Sequence, residues 1–414
     1  MAEPVGASDL LPVGEARARV LANHGARGTE HVPLAQALGR TLTEPLIARR
    51  TQPPFAASAM DGFAVRTADL ATLPARLKMI GESAAGHGFD GSIAPGETVR
   101  ILTGAPVPRG ADAVLMQEDT VLDGDVVIAQ RTIFAGRHIR ATGVDFSAGQ
   151  SLLAAGTRLS PINVALAAAM GHAEVPVARK PRVAILATGD ELVQPGQTIG
   201  PDQIITSNSF AVAAFVIENG GEPIDLGIAG DDFASLEAGI RAARKAQADV
   251  LVTLGGASVG KHDLVRSALA NEGMELSFWR IAMRPGKPLI HGRLGEMLIL
   301  GLPGNPAASI VCSLLFLVPL VRALSGDPRA AEDPTEPAIL GAPVQANSQR
   351  EDYLRATLTQ GGTGLPAATP FALQDSSLLN IFAQSQCLLV RSPYAPAAEA
   401  GESCRVIKLS PPLR

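Results

Sequence analysis

Residues 182–192 read RVAILATGDEL. An apolar run without polar interruption stops at Thr188 and Gly189, and two carboxylates, Asp190 and Glu191, follow at once. A strand covered on both faces has this continuity, because neither face turns toward water. The pattern returns in PIDLGIAGDD (223–232), ADVLVTLGG (248–256) and MLILGLPGNP (297–306). Helical segments separate these runs, near SNSFAVAAFVIENGG, FASLEAGIRAARKAQ and DLVRSALANEG. Strands alternating with helices predict βαβ units and a mostly parallel sheet covered on both faces. Ligands of such sheets sit at the carboxyl ends of the strands, which is where these polar loops fall.

The rest of the chain reads differently. With 414 residues it is long enough for two to four domains, and 46% hydrophobic against 18% charged residues supplies packed cores. Gly (42) and Pro (31) are spread along it, implying many short strands and tight turns. Residues 13–24 predict an amphipathic helix. Residues 49–148 break into short β-like runs with no helix of note. Ser160-Pro161 caps a predicted helix that Gly171 closes. SGDPRAAEDPTEP (325–337) reads as a linker, and the last stretch, again turn-rich, reads as a small all-β domain.

Composition also excludes function classes. Aromatic residues at 4% and a net charge of −5 argue against nucleic acid. Cys312, Cys387 and Cys404 have no metal-type spacing and read as reduced packing thiols of a cytoplasmic protein. The N-terminus has no signal pattern. IVCSLLFLVPLV (310–321) is too short at about twelve residues to span a bilayer and predicts a buried helix.

Four strand-end loops carry the candidate chemistry. One presents Asp190 and Glu191, a second Asp231 and Asp232, and the third is LGGASVGKHD (254–263). This third loop offers open backbone amides and then Asp263. The fourth, GLPGNP (301–306), is a rigid turn before a helix. Glycines let backbone N–H groups approach phosphate oxygens. Carboxylates beside a phosphate call for a cation, and Mg²⁺ is the usual one. The plainer readings are a glycine turn and helix-capping aspartates. FWRIAMRPGKPLIHGR (278–293) gathers Arg280, Arg284, Lys287, His291 and Arg293 without an acidic residue and predicts an anion site. An extended Trp279–Arg284 would put Arg280 and Arg284 on one face. The plainer reading there is a solvated edge strand. Asp61 in PPFAASAMDGFAV (53–65) and Thr103 in RILTGAPVPRGADAV (100–114) occupy turn-like loops.

Together, and in this order, PPFAASAMDGFAV, RILTGAPVPRGADAV, ILATGDEL, LGGASVGKHD, RPGKP and GLPGNP resemble the molybdopterin molybdenumtransferase family. That family comprises the bacterial MoeA proteins and the E domain of gephyrin. The resemblance implies a multidomain α/β and β fold. Its α/β three-layer domain (1–28 and 178–327) has a mostly parallel sheet. A small linking domain (29–48 and 149–177), a strand-rich module (49–148) and a C-terminal β-barrel (328–414) accompany it. It also implies an elongated homodimer, partnered by a molybdopterin adenylyltransferase and by molybdoenzyme maturation proteins, with neither nucleic acid nor membrane. The implied reaction inserts molybdate into the dithiolene of adenylylated molybdopterin, releasing AMP with Mg²⁺ as cofactor.

Carried over by position, the resemblance implies catalytic roles for Asp61, Thr103, Glu191, Asp231, Asp263 and Lys287, with Glu191, Asp231 and Asp263 around the metal. Asp61 and Thr103 are expected to reach the pocket of a partner subunit. Molybdate would meet Arg280, Arg284, Lys287, Ser309, Arg355 and Ser376. The phosphate and pterin would meet Thr188, Gly189, Ser207, Asn208, Gly255, Gly256, Ser258, Gly260, Pro303, Gly304, Asn305 and Pro306. The chain departs from the family pattern at Leu254, where Ser or Thr is usual, and at Ala307-Ala308 before Ser309. Arg284 replaces the first lysine of K-P-G-K-P. Two alternatives follow: a catalytically degenerate paralogue that acts as a molybdopterin-binding scaffold, and a molybdopterin adenylyltransferase that uses ATP.

Overall fold

A computed structural model of the chain describes residues 10–22, 24–255, 264–361 and 364–409. It divides into two units, His31–Leu38 with Glu44–Pro176, and Met1–Glu30 with Gly39–Thr43 and Val177–Arg414. Asp263, with Gly256, Ser258 and Gly260, lies outside the described residues.

The smaller unit is built on a six-stranded sheet. Its strands are β1 (Gly62–Val65), β2 (Ala75–Ser83), β3 (Glu97–Ile101), β4 (Ala113–Met116), β5 (Thr120–Asp123) and β6 (Val126–Ala129), in the order β4-β1-β3-β2-β6-β5. Side chains alternate across it. Phe63 and Val65 join one core with Leu77 and Leu115, while Ala64 joins another with Val99 and Ile101. Both faces of the central strands therefore carry buried residues, while the edge strand β5 is mostly exposed, and residues 49–148 contain no α-helix. The helix expected after Ser160 runs Pro161–Ala169. Ser160 and Asn163 exchange hydrogen bonds as a capping box, and Gly171 follows at φ +91°.

In the larger unit the βαβ rhythm folds as expected. After α1 (Val13–Leu21) come β7 (Arg182–Thr188), α2 (Asn208–Glu218), β8 (Glu222–Ala229), α3 (Phe233–Lys245), β9 (Val250–Leu254) and α4 (Leu264–Asn271). Then follow β10 (Glu275–Arg280), β11 (Met283–Arg284), β12 (Pro288–Leu294) and β13 (Met297–Leu302). The sheet order is β8-β7-β9-β13-β12-β10. The first four strands are mutually parallel, and β12 and β10 extend the edge antiparallel. The register aligns the strand ends: Thr188 pairs with Ala229, Ala187 with Leu254, and Leu254 with Leu302. Four polar loops thus leave from one rim.

Two expectations need correction. The apolar run after GLPGNP forms α5 (Pro306–Leu324), 19 residues rather than about twelve, with a π-helical stretch at Ser313–Leu317. By length and apolarity it matches a membrane span, but its 18-residue window is 83% buried within the fold. Burial, not length, makes it a core helix. Trp279–Arg284 is also not one strand. The chain leaves the sheet after Arg280, and Met283–Arg284 pair instead with the barrel strand β15 described next. Arg280 and Arg284 therefore belong to different sheets and do not share a face.

The C-terminal region closes on itself. β14 (Thr335–Leu340), β15 (Glu351–Gln360), β16 (Pro366–Pro370), β17 (Cys387–Arg391) and β18 (Ser403–Lys408) follow the order β15-β16-β14-β18-β17, and β17 pairs back to β15. Closure leaves no open edge. Ala338, Ala356, Leu389 and Val406 fill its interior.

Candidate active site at the carboxyl ends of the strands

One cavity of about 820 Å³ lies at this rim. Its wall contains eleven of the residues expected to contact ligand or metal: Thr188, Gly189, Glu191, Ser207, Asn208, Asp231, Gly255, Pro303, Gly304, Asn305 and Pro306. Backbone crowding explains the glycines. Gly255 has φ +104°, and a Cβ there would meet the Thr188 carbonyl oxygen at 2.6 Å. A Cβ at Gly189 would overlap the Glu191 carboxylate. Main chain therefore forms the floor, where a phosphate can approach amides without side chains in the way.

Two helices begin at the wall. α2 starts at Asn208, and its N-cap Ser207 makes no side-chain capping bond. α5 starts at Pro306, and the Ala307 N–H donates to the Ser376 carbonyl at 2.9 Å. The positive ends of both helix dipoles favour an anion in the cavity. Asn208 Nδ2 donates to the Gly304 carbonyl at 2.7 Å, and Asn305 Nδ2 donates to Ser376 Oγ at 3.0 Å. These bonds tie the loop after β13 to α2 and to the barrel region.

The paired aspartates have separate tasks. Asp232 caps α3, accepting the Ser235 N–H at 2.9 Å and its hydroxyl at 2.6 Å, and these bonds hold its carboxyl below the usual range. Asp231 lines the cavity, and its N–H donates to Asp190 Oδ1 at 3.1 Å. Glu191 and Asp231 thus bring two hard oxygen donors to one cavity. No group of three metal-binding side chains occurs among the described residues. Mg²⁺ commonly uses one or two carboxylates and completes its shell with water and substrate phosphate, so this pair fits it.

The expected cations do not gather here. Arg280 stacks on Trp279, its Cζ 3.8 Å from the ring centroid. Arg284 pairs with the buried Asp352. Lys287 lines a separate cavity of about 490 Å³ with Arg350 and Gln349, although Pro288, its neighbour, lines the main one. Arg355 is 0% exposed; Nη2 donates to the Asp375 carbonyl at 3.1 Å, while Nε and Nη1 are buried without partners. Ser309 is buried on α5, its hydroxyl also unpartnered.

In the smaller unit, Asp61 accepts the Thr103 N–H at 2.7 Å and its hydroxyl at 2.8 Å, which lowers its pKa. Two branched apolar residues of the main cavity, Ile204 and Ile205, are among those the sequence did not point to. They are exposed, pair with Leu192–Val193 and supply an apolar wall. The only signal was an apolar pair inside the polar stretch QPGQTIGPDQII.

A mostly parallel α/β sheet whose strand-end cavity joins two carboxylates, open backbone and two helix N-termini is the arrangement of proteins that bind phosphorylated ligands. Comparisons with known proteins sharpen this. Residues 11–171 match the MoeA N-terminal region (domain I and II), 184–323 the probable molybdopterin binding domain, and 337–409 the MoeA C-terminal region (domain IV). The chain is 34% identical over 96% of its length to the molybdopterin molybdenumtransferase of Haemophilus influenzae, covering 98% of that protein. It is 35% identical over 96% of its length to the molybdopterin molybdenumtransferase of Bacillus subtilis, covering 94%. The crystal structure of a molybdopterin biosynthesis MoeA protein from Pyrococcus horikosii superposes with a TM-score of 0.82 at 32% identity, over 97% of this chain and 99% of that one. The chain belongs to the molybdopterin molybdenumtransferase family.

Proposed function

We propose that the protein inserts molybdate into the dithiolene of adenylylated molybdopterin, with release of AMP, in molybdenum cofactor biosynthesis. The observation that carries this reading is the strand-end cavity. There Glu191 and Asp231 face a floor of open backbone at Gly189, Gly255 and Gly304. The floor suits a pyrophosphate, whose oxygens need N–H donors and close approach. Glu191 and Asp231, with Asp263 as a third donor by resemblance, would hold Mg²⁺. When bound, that ion supplies charge neutralisation and polarisation of the phosphoanhydride. Ile204, Ile205 and Leu192 offer the apolar wall that a ring system needs.

Arg355 supports the anion half of the reaction. A guanidinium fully withdrawn from water with two unsatisfied N–H directions is costly unless an anion completes it. In this reading Arg355 and Ser376, behind the Asn305 turn, position molybdate. Lys287 and Arg284 act from neighbouring surfaces. The protein works in the cytoplasm as a homodimer in which Asp61 and Thr103 of one copy complete the site of the other. An adenylyltransferase supplies its substrate, and maturation proteins take its product.

Incubation with adenylylated molybdopterin, Mg²⁺ and molybdate, following AMP and active cofactor, tests the proposal. Molybdate-dependent AMP release is expected. Tight binding without AMP would replace this reading with a scaffold, and ATP consumption with unadenylylated molybdopterin would replace it with an adenylyltransferase.

A further inference from the structure

At the opposite end of the same sheet, the amino ends of β7 and β9 carry arginines that the reaction does not use. Arg27, Arg179, Arg182 and Gln247 line a cavity of about 510 Å³ with Asp249 and Glu296. Asp249 organises it. Its Oδ1 accepts from Arg179 Nη2 at 2.8 Å and lies 3.9 Å from Arg27 Nε, while Oδ2 accepts the backbone N–H of Arg182 at 2.7 Å. Glu296 is the second carboxylate, but it is 90% exposed and leans to Arg293 at 3.5 Å. Arg179 also donates from Nε to the Arg27 carbonyl at 3.4 Å and from Nη1 to the Lys180 carbonyl at 3.0 Å, and Arg27 Nη2 donates to the Glu296 carbonyl at 3.5 Å. Three arginines and two carboxylates thus line the cavity, and no side-chain bond among the described residues holds the Arg182 guanidinium. Arg27 Nε is buried with no hydrogen-bond partner.

Gln247 adds an independent observation. It follows the end of α3 at φ +51°, a conformation in which glycine is the usual residue. The helix closure needs only backbone: the Gln247 N–H donates to the Arg244 carbonyl at 2.9 Å and the Ala248 N–H to the Ala243 carbonyl at 3.1 Å. Glycine would make both bonds without strain. The residue present instead adds an amide to the cavity wall, and backbone strain retained beside a polar cavity points to a use for that side chain.

We infer that this cavity is a second anion site, which takes a phosphate group. A guanidinium fork such as that of Arg182 matches phosphate oxygens in a pair of parallel hydrogen bonds, and the lining carries one more arginine than carboxylate, which favours an anion. The seven residues of β7 separate it from the strand-end cavity by about 20 Å, so one ligand cannot occupy both. The same chemistry arises from free inorganic phosphate or from the phosphate of a nucleotide.

Calorimetric titration of the full chain with inorganic phosphate, and separately with AMP, at ionic strength held constant with chloride, tests this. Saturable phosphate binding is expected, weakened about tenfold in Arg182→Ala, with the ligand-free unfolding temperature and AMP-release activity unchanged. Gln247→Gly should weaken binding while leaving the unfolding temperature equal or higher, which keeps the test valid if Arg182→Ala folds poorly. A loss confined to AMP assigns the site to nucleotide phosphate, and a loss with both ligands assigns it to phosphate itself. No binding beyond chloride, or equal affinity in the wild type and both variants, overturns the inference.

Discussion

Asn208 Nδ2 donates to the Gly304 carbonyl at 2.7 Å, joining the first residue of α2 to the loop that leaves β13. Two strand-end loops and a helix N-terminus are held at one spacing by that bond. In Asn208→Ala the loop loses its tether while the core is untouched. We expect about 1 kcal/mol lower stability, as for one neutral hydrogen bond. KM for the adenylylated substrate should rise about tenfold with a smaller change in kcat. Steady-state AMP release and thermal unfolding measure both.

Neighbouring carboxylates at 231 and 232 should respond oppositely. Asp231→Asn should lower AMP release by about 100-fold or more, since it removes charge from the cavity, with unchanged unfolding. Asp232→Ala should cost about 1 kcal/mol of stability through the lost cap of α3 and leave kcat near wild type. Equal loss of activity in both would remove the distinction.

Asp61 should titrate below an ordinary aspartate, because both Thr103 bonds favour its charged form. Its contribution to stability is present above the unfolded pKa and is lost as pH falls through the lowered folded value. In Thr103→Val the Asp61 carboxyl should move up toward the ordinary range, which carbon-detected NMR titration reads directly.

Burial pushes His291 down to about 4, with Nδ1–H donating to the Ile299 carbonyl at 3.1 Å. The unfolded chain takes up this proton near the ordinary 6.5 and the folded chain resists it. Stability from this group is therefore complete above about 6.5 and falls as pH drops from there toward 4, by about 3 kcal/mol in all. His291→Asn keeps a donor for Ile299 but cannot titrate. Urea unfolding between pH 4 and 7 should show a flatter pH dependence in the variant.

If Asp61 and Thr103 serve the partner's site, co-expressed Asp61→Asn and Asp231→Asn chains should complement. Random pairing gives half heterodimers with one intact site each, so about a quarter of wild-type activity should return. Mixed preparations no more active than either variant alone would place Asp61 in its own chain's site.

Much of this was legible beforehand, for reasons that differ by element. The unbroken runs VAILA and VLVTL announced buried parallel strands because a half-exposed strand would have alternated. Their glycine and aspartate endings then located the cavity rim. Ile204 and Ile205 stayed hidden because a two-residue pairing leaves no periodicity to read. The basic stretch misled in a specific way. Its charges are adjacent in sequence, but the turn after Arg280 sends Arg284 to the barrel, where buried Asp352 claims it.

Local chemistry in the chain determined which segments become strands and helices, where they stop, and which loops carry carboxylates beside glycines. Those choices depend on nearest neighbours: hydrophobic period, caps such as Ser160, and backbone freedom at Gly255. Tertiary structure alone decided which charges meet. It assigned Asp232 to a helix cap and Asp231 to the cavity, buried Arg355 with two open N–H directions, and set Arg27, Arg179 and Arg182 around Asp249 at the far end of the sheet. Electrostatic partners are chosen by distance in space, and residues 27, 182 and 249 come within reach only when the strands between them pair.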